Sequence, residues 1–167
     1  MRIDVPMSDT LPDGRGVRVA VVASRFNPEV TARLVSGARD ALTAAGVLSH
    51  SIEHFAVPGA FELPVAARLA ADSRRFDAIV CLGCIIRGET PHFDYISAAV
   101  AHGLTQVSVS TGVPIAFGVL TTDTPEQADA RSRPDRTNKG YEAAAAALEM
   151  ALLRQQLRDR LAAGSRG

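Results

Sequence analysis

Ala78–Ile86 reads Ala-Ile-Val-Cys-Leu-Gly-Cys-Ile-Ile, nine residues without a charge. The run is far shorter than a membrane span and reads as a buried strand. Cys81 and Cys84 form a Cys-x-x-Cys within it. In redox proteins such a pair opens a helix, whose amino end lowers the thiol pKa. On a strand, residues three apart point to opposite faces, so both cysteines are expected to be packing residues.

Outward from this strand the chain alternates. Upstream, Val17–Ala23 reads as a first strand. A helix then starts at Pro28 with Asn27 as its N-cap. Val30, Leu34, Val35, Ala38, Ala41 and Leu42 recur along it at helical spacing until Gly46. Ser51–Val57 is a second strand and Leu63–Asp72 a second helix, with Pro64 early enough to be tolerated. Downstream, the loop Arg87–Pro91 precedes a helix from about His92 to Val107. Ile115–Leu120 is a fourth strand, Pro125–Arg131 a short helix and Gly140–Leu161 a long alanine-rich one.

Strand-helix alternation predicts a three-layer α/β/α sandwich around a four-stranded parallel sheet, because right-handed crossovers place helices on both faces. Residues 1–15, with Pro6, Pro12 and Gly14, read as a flexible, extended N-terminal arm. Residues 16–162 read as a single domain and residues 163–167 as a tail. Ligands of open α/β sheets sit beyond the carboxyl ends of the strands. That directs attention to Ser24–Asn27, Pro58–Glu62, Arg87–His92 and Thr121–Thr124.

The bulk numbers exclude several classes. Eighteen basic residues balance eighteen acidic ones, which leaves no global field for nucleic acid or anionic lipid. The stretch Ala143–Leu153 is interrupted by Glu149 and too short to span a membrane. Residues 1–10 lack the basic-then-apolar layout of a signal peptide, so a cytoplasmic location is expected. Neither Gly-x-x-x-x-Gly-Lys-[Ser/Thr] nor Gly-x-Gly-x-x-Gly occurs, which removes support for mononucleotide hydrolysis and dinucleotide binding. The first strand ends in Ala23-Ser24-Arg25, without the carboxylates that a Mg²⁺-dependent receiver domain needs.

Arg87-Gly88-Glu89-Thr90-Pro91-His92 is the strongest chemical signal. Gly88 lets backbone approach a ligand closely. Thr90 suits an N-cap and Pro91 a first helical position, and the free N–H groups of a helix start bind phosphate. His92, in the first turn, could take and return protons beside that anion. The same residues would also suit a well-capped helix with an exposed histidine.

The other histidines are weaker. His50 and His54 would lie about 13 Å apart on a strand, too far to share a metal. His102 has no partner suggested by the sequence, and no metal site is expected. Phe26, Phe61 and Phe117 fall at or near strand ends, where a planar heterocycle could stack. Each taken singly is an ordinary core residue. Arg131, Arg133, Arg136 and Lys139 cluster between the last two helices. The cluster is either a solvated loop or an anion clamp, since guanidinium matches phosphate bidentately.

Together these segments resemble the 6,7-dimethyl-8-ribityllumazine synthase family. The resemblance is carried by Ser24-Arg25-Phe26-Asn27, by residues 57–64 (VPGAFELP) and by residues 83–95 (GCIIRGETPHFDY). Residues 114–122 (PIAFGVLTT), Glu126-Gln127-Ala128 and Asn138-Lys139-Gly140 complete it. It implies a flavodoxin-like fold and a condensation of 5-amino-6-(D-ribitylamino)uracil with 3,4-dihydroxy-2-butanone 4-phosphate, releasing phosphate and water, in riboflavin biosynthesis. By the same resemblance Phe26 would stack on the pyrimidine, with Asn27 nearby. Ala60, Phe61 and Glu62 would hold the ribityl chain, and Cys84, Ile85 and Ile86 the pyrimidine edge.

Backbone N–H groups of Glu89 and Thr90 would meet the phosphate, and His92 would shuttle protons. Phe117 and Arg131 would come from an adjacent subunit, Arg131 binding phosphate with Lys139 in support. No metal or organic cofactor is implied. A homo-oligomer is: a pentamer or a pentamer-based icosahedral shell. Where the family commonly has Arg-Ala-Gly, this chain reads Arg131-Ser132-Arg133-Pro134-Asp135-Arg136.

Overall fold

In the computed structural model, which describes residues 10–164, four parallel strands lie in the order β2-β1-β3-β4. They are β1 (Val19–Ser24), β2 (Ile52–Val57), β3 (Ala78–Ile86) and β4 (Ile115–Thr122). The helices are α1 (Pro28–Ala44), α2 (Leu63–Asp72), α3 (His92–Thr111), α4 (Pro125–Arg131) and α5 (Lys139–Gly164). Strand order reverses between β1 and β3, so the crevice of this sheet opens beyond the carboxyl ends of those two strands.

Alternation along the strands feeds two cores. Val19, Val21, Val80, Leu82 and Cys84 pack with α1 and α5, whereas Ala20, Val22, Ile79 and Cys81 pack with α2 and α3. The two cysteines therefore face opposite layers, as strand geometry predicts. Burial pushes the Cys81 thiol up to about 12 and that of Cys84 to about 11, which makes both poor nucleophiles. The flavodoxin-like three-layer arrangement holds.

Several element ends differ from the sequence expectation. β4 runs two residues further, to Thr122, because its last residues pair in register with Ile85 and Ile86. α3 continues to Thr111 and stops at Gly112, which takes the left-handed conformation at φ 66. α5 begins at Lys139 and continues through Gly164, so residues 163 and 164 of the expected tail are helical. Residues 1–9 of the expected arm lie outside the described residues. Within its remainder, Leu11 packs against the α1/α5 core and the Gly14 N–H donates to the Ala45 carbonyl at 2.7 Å.

One expected cap holds in position without its side-chain bond, and one is corrected. Asn27 sits at the N-cap of α1 in the left-handed region (φ 52) but makes no side-chain capping bond. Its Nδ2 instead donates to the Cys84 carbonyl at 2.9 Å, tying the end of β1 to the end of β3. At α3 the N-cap is Pro91, one residue later than Thr90, and no side chain caps it; the N–H groups of Asp94 and Tyr95 turn back to the Pro91 carbonyl. No helix among the described residues is long and apolar enough to cross a membrane.

Candidate functional site

Phe26 and Phe61 are 69% and 61% exposed in the single chain, an unusual state for phenylalanine. Both stand at the switch point. A Cβ placed on Gly59 would lie 3.7 Å from the Phe26 ring, so Phe26 leans over the turn that carries Ala60, Phe61 and Glu62. That turn is a short 3₁₀ segment, Ala60–Glu62, locked from within: the Gly59 N–H donates to Glu62 Oε2 at 2.9 Å. Arg25 N–H donates to the Val57 carbonyl, which holds the Phe26 loop against the same turn. Asn27 then bridges to Cys84, at the start of the half-buried pair Ile85 and Ile86. Phe26, Asn27, Ala60, Phe61, Glu62 and Cys84 are thus linked through one continuous lip.

The loop after β3 is fixed by Arg87. Its guanidinium donates to Asp123 at 2.9 Å and to both oxygens of Asp94 at 3.0 and 3.1 Å, and it lies 4.2 Å over the Phe93 ring. Its own N–H donates to the Thr122 carbonyl. The two carboxylates hold the guanidinium pKa well above its ordinary value. This set clamps the end of β4 to the first turn of α3, on either side of the exposed residues Glu89, Thr90 and His92. Arg87 precedes α3, so no helical spacing in the sequence points to Asp94; the pair forms because the loop after β3 folds back onto the first turn of that helix.

Phe117, Arg131 and Lys139 are brought together elsewhere. With Glu142 they line an open groove of about 370 Å³ along the outer edge of β4. Neither Phe26, Phe61 nor His92 lines it. Arg131 donates only to the Gln127 carbonyl, and Lys139 pairs with Glu142 one turn along α5. Arg133 and Arg136 do not line this groove.

Asn138 is the piece the sequence undervalued. It is 1% exposed, and its Nδ2 donates to the carbonyls of Arg33, Ser132 and Arg133, while its Oδ1 accepts from the N–H groups of Gly140 and Tyr141. One amide therefore stitches the arginine loop to α1 and starts α5. Ser132 is fully buried and accepts from Arg33 Nε at 3.0 Å, beside an Arg33–Asp129 ion pair at 2.6 Å. That packing gives this chain's departure at position 132 a structural place. The buried hydroxyls of Ser24 and Thr122, at the ends of β1 and β4, have no hydrogen-bond partner. Among the described residues, no three His, Cys, Asp or Glu side chains gather as a metal site.

A family model described as 6,7-dimethyl-8-ribityllumazine synthase matches residues 16–155. A relative so named, from Syntrophus aciditrophicus (strain SB), is 52% identical over 151 residues, covering 87% of this chain and 98% of the relative.

Proposed function

The chain belongs to the 6,7-dimethyl-8-ribityllumazine synthase family, and from that premise we propose that its two groups of site residues complete one active site between neighbouring subunits. It is a transferase of riboflavin biosynthesis, joining 5-amino-6-(D-ribitylamino)uracil to 3,4-dihydroxy-2-butanone 4-phosphate. The observation that carries the division of labour is the separation of the two groups. The ring-binding lip is at the ends of β1 and β3, and the groove with Phe117, Arg131 and Lys139 is at the outer edge of β4.

In this reading Phe26 stacks on the pyrimidine, with Asn27 holding the lip in place. Phe61, Ala60 and Glu62 take the ribityl chain, and the strand end at Cys84, Ile85 and Ile86 meets the pyrimidine edge. The backbone N–H groups of Glu89 and Thr90 receive the phosphate, joined by the neighbour's Arg131 and supported by its Lys139; the neighbour's Phe117 closes the ring pocket. His92 relays the proton as the amine condenses with the ketone and again as phosphate leaves. Holding two reactants in register supplies much of the acceleration, of the order of 7–11 kcal/mol for a well-oriented pair. The assembly is a pentamer or a shell of pentamers working in the cytoplasm. Each copy contributes residues 16–162 as its domain.

The test is an absorbance assay with both substrates. Wild type should form lumazine well above the uncatalysed background, and His92→Ala should slow it about 10²–10⁴-fold while positioning leaves residual activity. Wild-type formation at the background rate rejects the enzyme, and a His92→Ala rate equal to wild type removes the proton relay.

A further inference from the structure

At the amino ends of the strands, opposite the active-site lip, two adjoining hollows of about 470 and 720 Å³ share Arg18, Asp77, Arg154 and Arg158. Arg15, Arg68 and Arg74 complete the cationic lining, so six guanidinium groups face three carboxylates, those of Asp72, Asp77 and Asp159. Three of the six are already matched: Arg15 by Asp13, Arg18 by Asp77 at 3.6 Å and Arg68 by Asp72 at 2.7 Å. Among the described residues, Arg74, Arg154 and Arg158 form no ion pair, and neither does Asp159, which reaches only the smaller hollow.

Arg154 and Arg158 are one turn apart on α5 and so lie on the same helix face. Like charges so placed repel unless an anion lies between them. The Nε of Arg154 is fully buried and has no acceptor, the arrangement a guanidinium adopts at real cost when nothing answers it. Burial first, and then the Arg158 charge, push the Arg154 pKa below its ordinary value, although Asp77 opposes them. Arg74 follows α2 at φ 57, in the left-handed region where a helix normally ends on glycine, and this turns a cation rather than a bare backbone toward the hollow.

We propose that this groove is a second anion site that binds a small diphosphate-class ligand, with Arg154 and Arg158 as the paired donors and Arg74 at the rim. Two guanidinium forks one helical turn apart present donors to two adjacent anionic centres, which a diphosphate supplies and a single carboxylate does not. The site is independent of the catalytic lip. Arg154 lies within the segment that the family model matches, and Arg158 lies just beyond its end at residue 155.

The experiment titrates inorganic pyrophosphate calorimetrically into the full chain at low salt, in an Arg131→Ala background that disables the proposed active-site phosphate clamp. Binding should persist there and weaken as salt rises. It should weaken about tenfold or more in Arg154→Gln/Arg158→Gln, as expected for losing a charge-assisted contact. Lumazine formation by Arg154→Gln/Arg158→Gln alone should match wild type. The exposed single variant Arg158→Gln, which leaves the buried Arg154 in place, should also weaken binding and serves if the double variant does not fold. No pyrophosphate binding in the Arg131→Ala chain overturns the site, as does an affinity unchanged by either groove variant. A groove variant that alters only the oligomeric state also overturns it, because the guanidinium groups would then answer a neighbouring subunit's carboxylate.

Discussion

Asn138 shows how much a single buried amide can decide. All of its polar atoms are engaged, and its five partners belong to α1, to the arginine loop and to the start of α5. Asn138→Ala would strand several buried backbone groups at once. A loss of about 2–4 kcal/mol is expected, because each orphaned group costs on the order of 1–3 kcal/mol and the loop can relax only partly. Urea unfolding measures it, and a change below 1 kcal/mol would mean that water replaces the amide. Weaker use of the sugar phosphate should accompany the loss, since Arg131 and Lys139 flank the segment that Asn138 secures.

Among the elements, the contact of α1 with α5 rests on missing side chains. A Cβ on Gly140 would fall 2.0 Å from the Leu34 carbonyl oxygen, and one on Gly37 2.4 Å from Asn138 Oδ1. Helix propensity alone favours Gly→Ala by about 1 kcal/mol. Backbone cannot yield as a flexible side chain does, so overpacking wins. Gly140→Ala should lower the unfolding midpoint in urea, while Gly164→Ala, with open space around it, should leave it unchanged or raised.

The strand β3 carries its own pH signature. The folded pKa of Cys81 lies at about 12, above its ordinary 9.0, because burial penalises the thiolate. The unfolded chain therefore releases this proton first. Stability from the buried thiol is complete below pH 9 and is lost as pH climbs toward about 12, by up to about 1.4 kcal/mol per pH unit. Denaturant unfolding at a series of alkaline pH values should show a steeper decline for wild type than for Cys81→Ala. Parallel slopes would mean that the thiol does not titrate on unfolding.

For the whole molecule, the proposed active site draws on two separate surfaces. The lip at the switch point and the groove at the edge of β4 belong to different surfaces of the same fold. If neighbours join them, His92→Ala and Arg131→Ala damage different halves. Co-refolding the two variants should then restore lumazine formation above either variant refolded alone, since some interfaces combine an intact His92 with an intact Arg131. A mixture no more active than its components would place both residues in one chain's site.

Much of this was written in the chain itself. The uncharged run at Ala78–Ile86 and the helical spacing from Val30 to Leu42 report burial directly, because periodicity is local and each face meets one environment. Residues 24–27, 57–64 and 83–95 likewise carry the family resemblance and hold the residues of the lip. Tertiary structure decided what depends on partners distant in sequence. It turned the Asn27 side chain from its own helix to the Cys84 carbonyl and moved the α3 cap to Pro91. It also gave Arg87 its two carboxylates and made Asn138 the knot of the arginine loop. A side chain's hydrogen bond goes to whichever acceptor the fold brings near, and no local pattern encodes a partner 57 or 105 residues away.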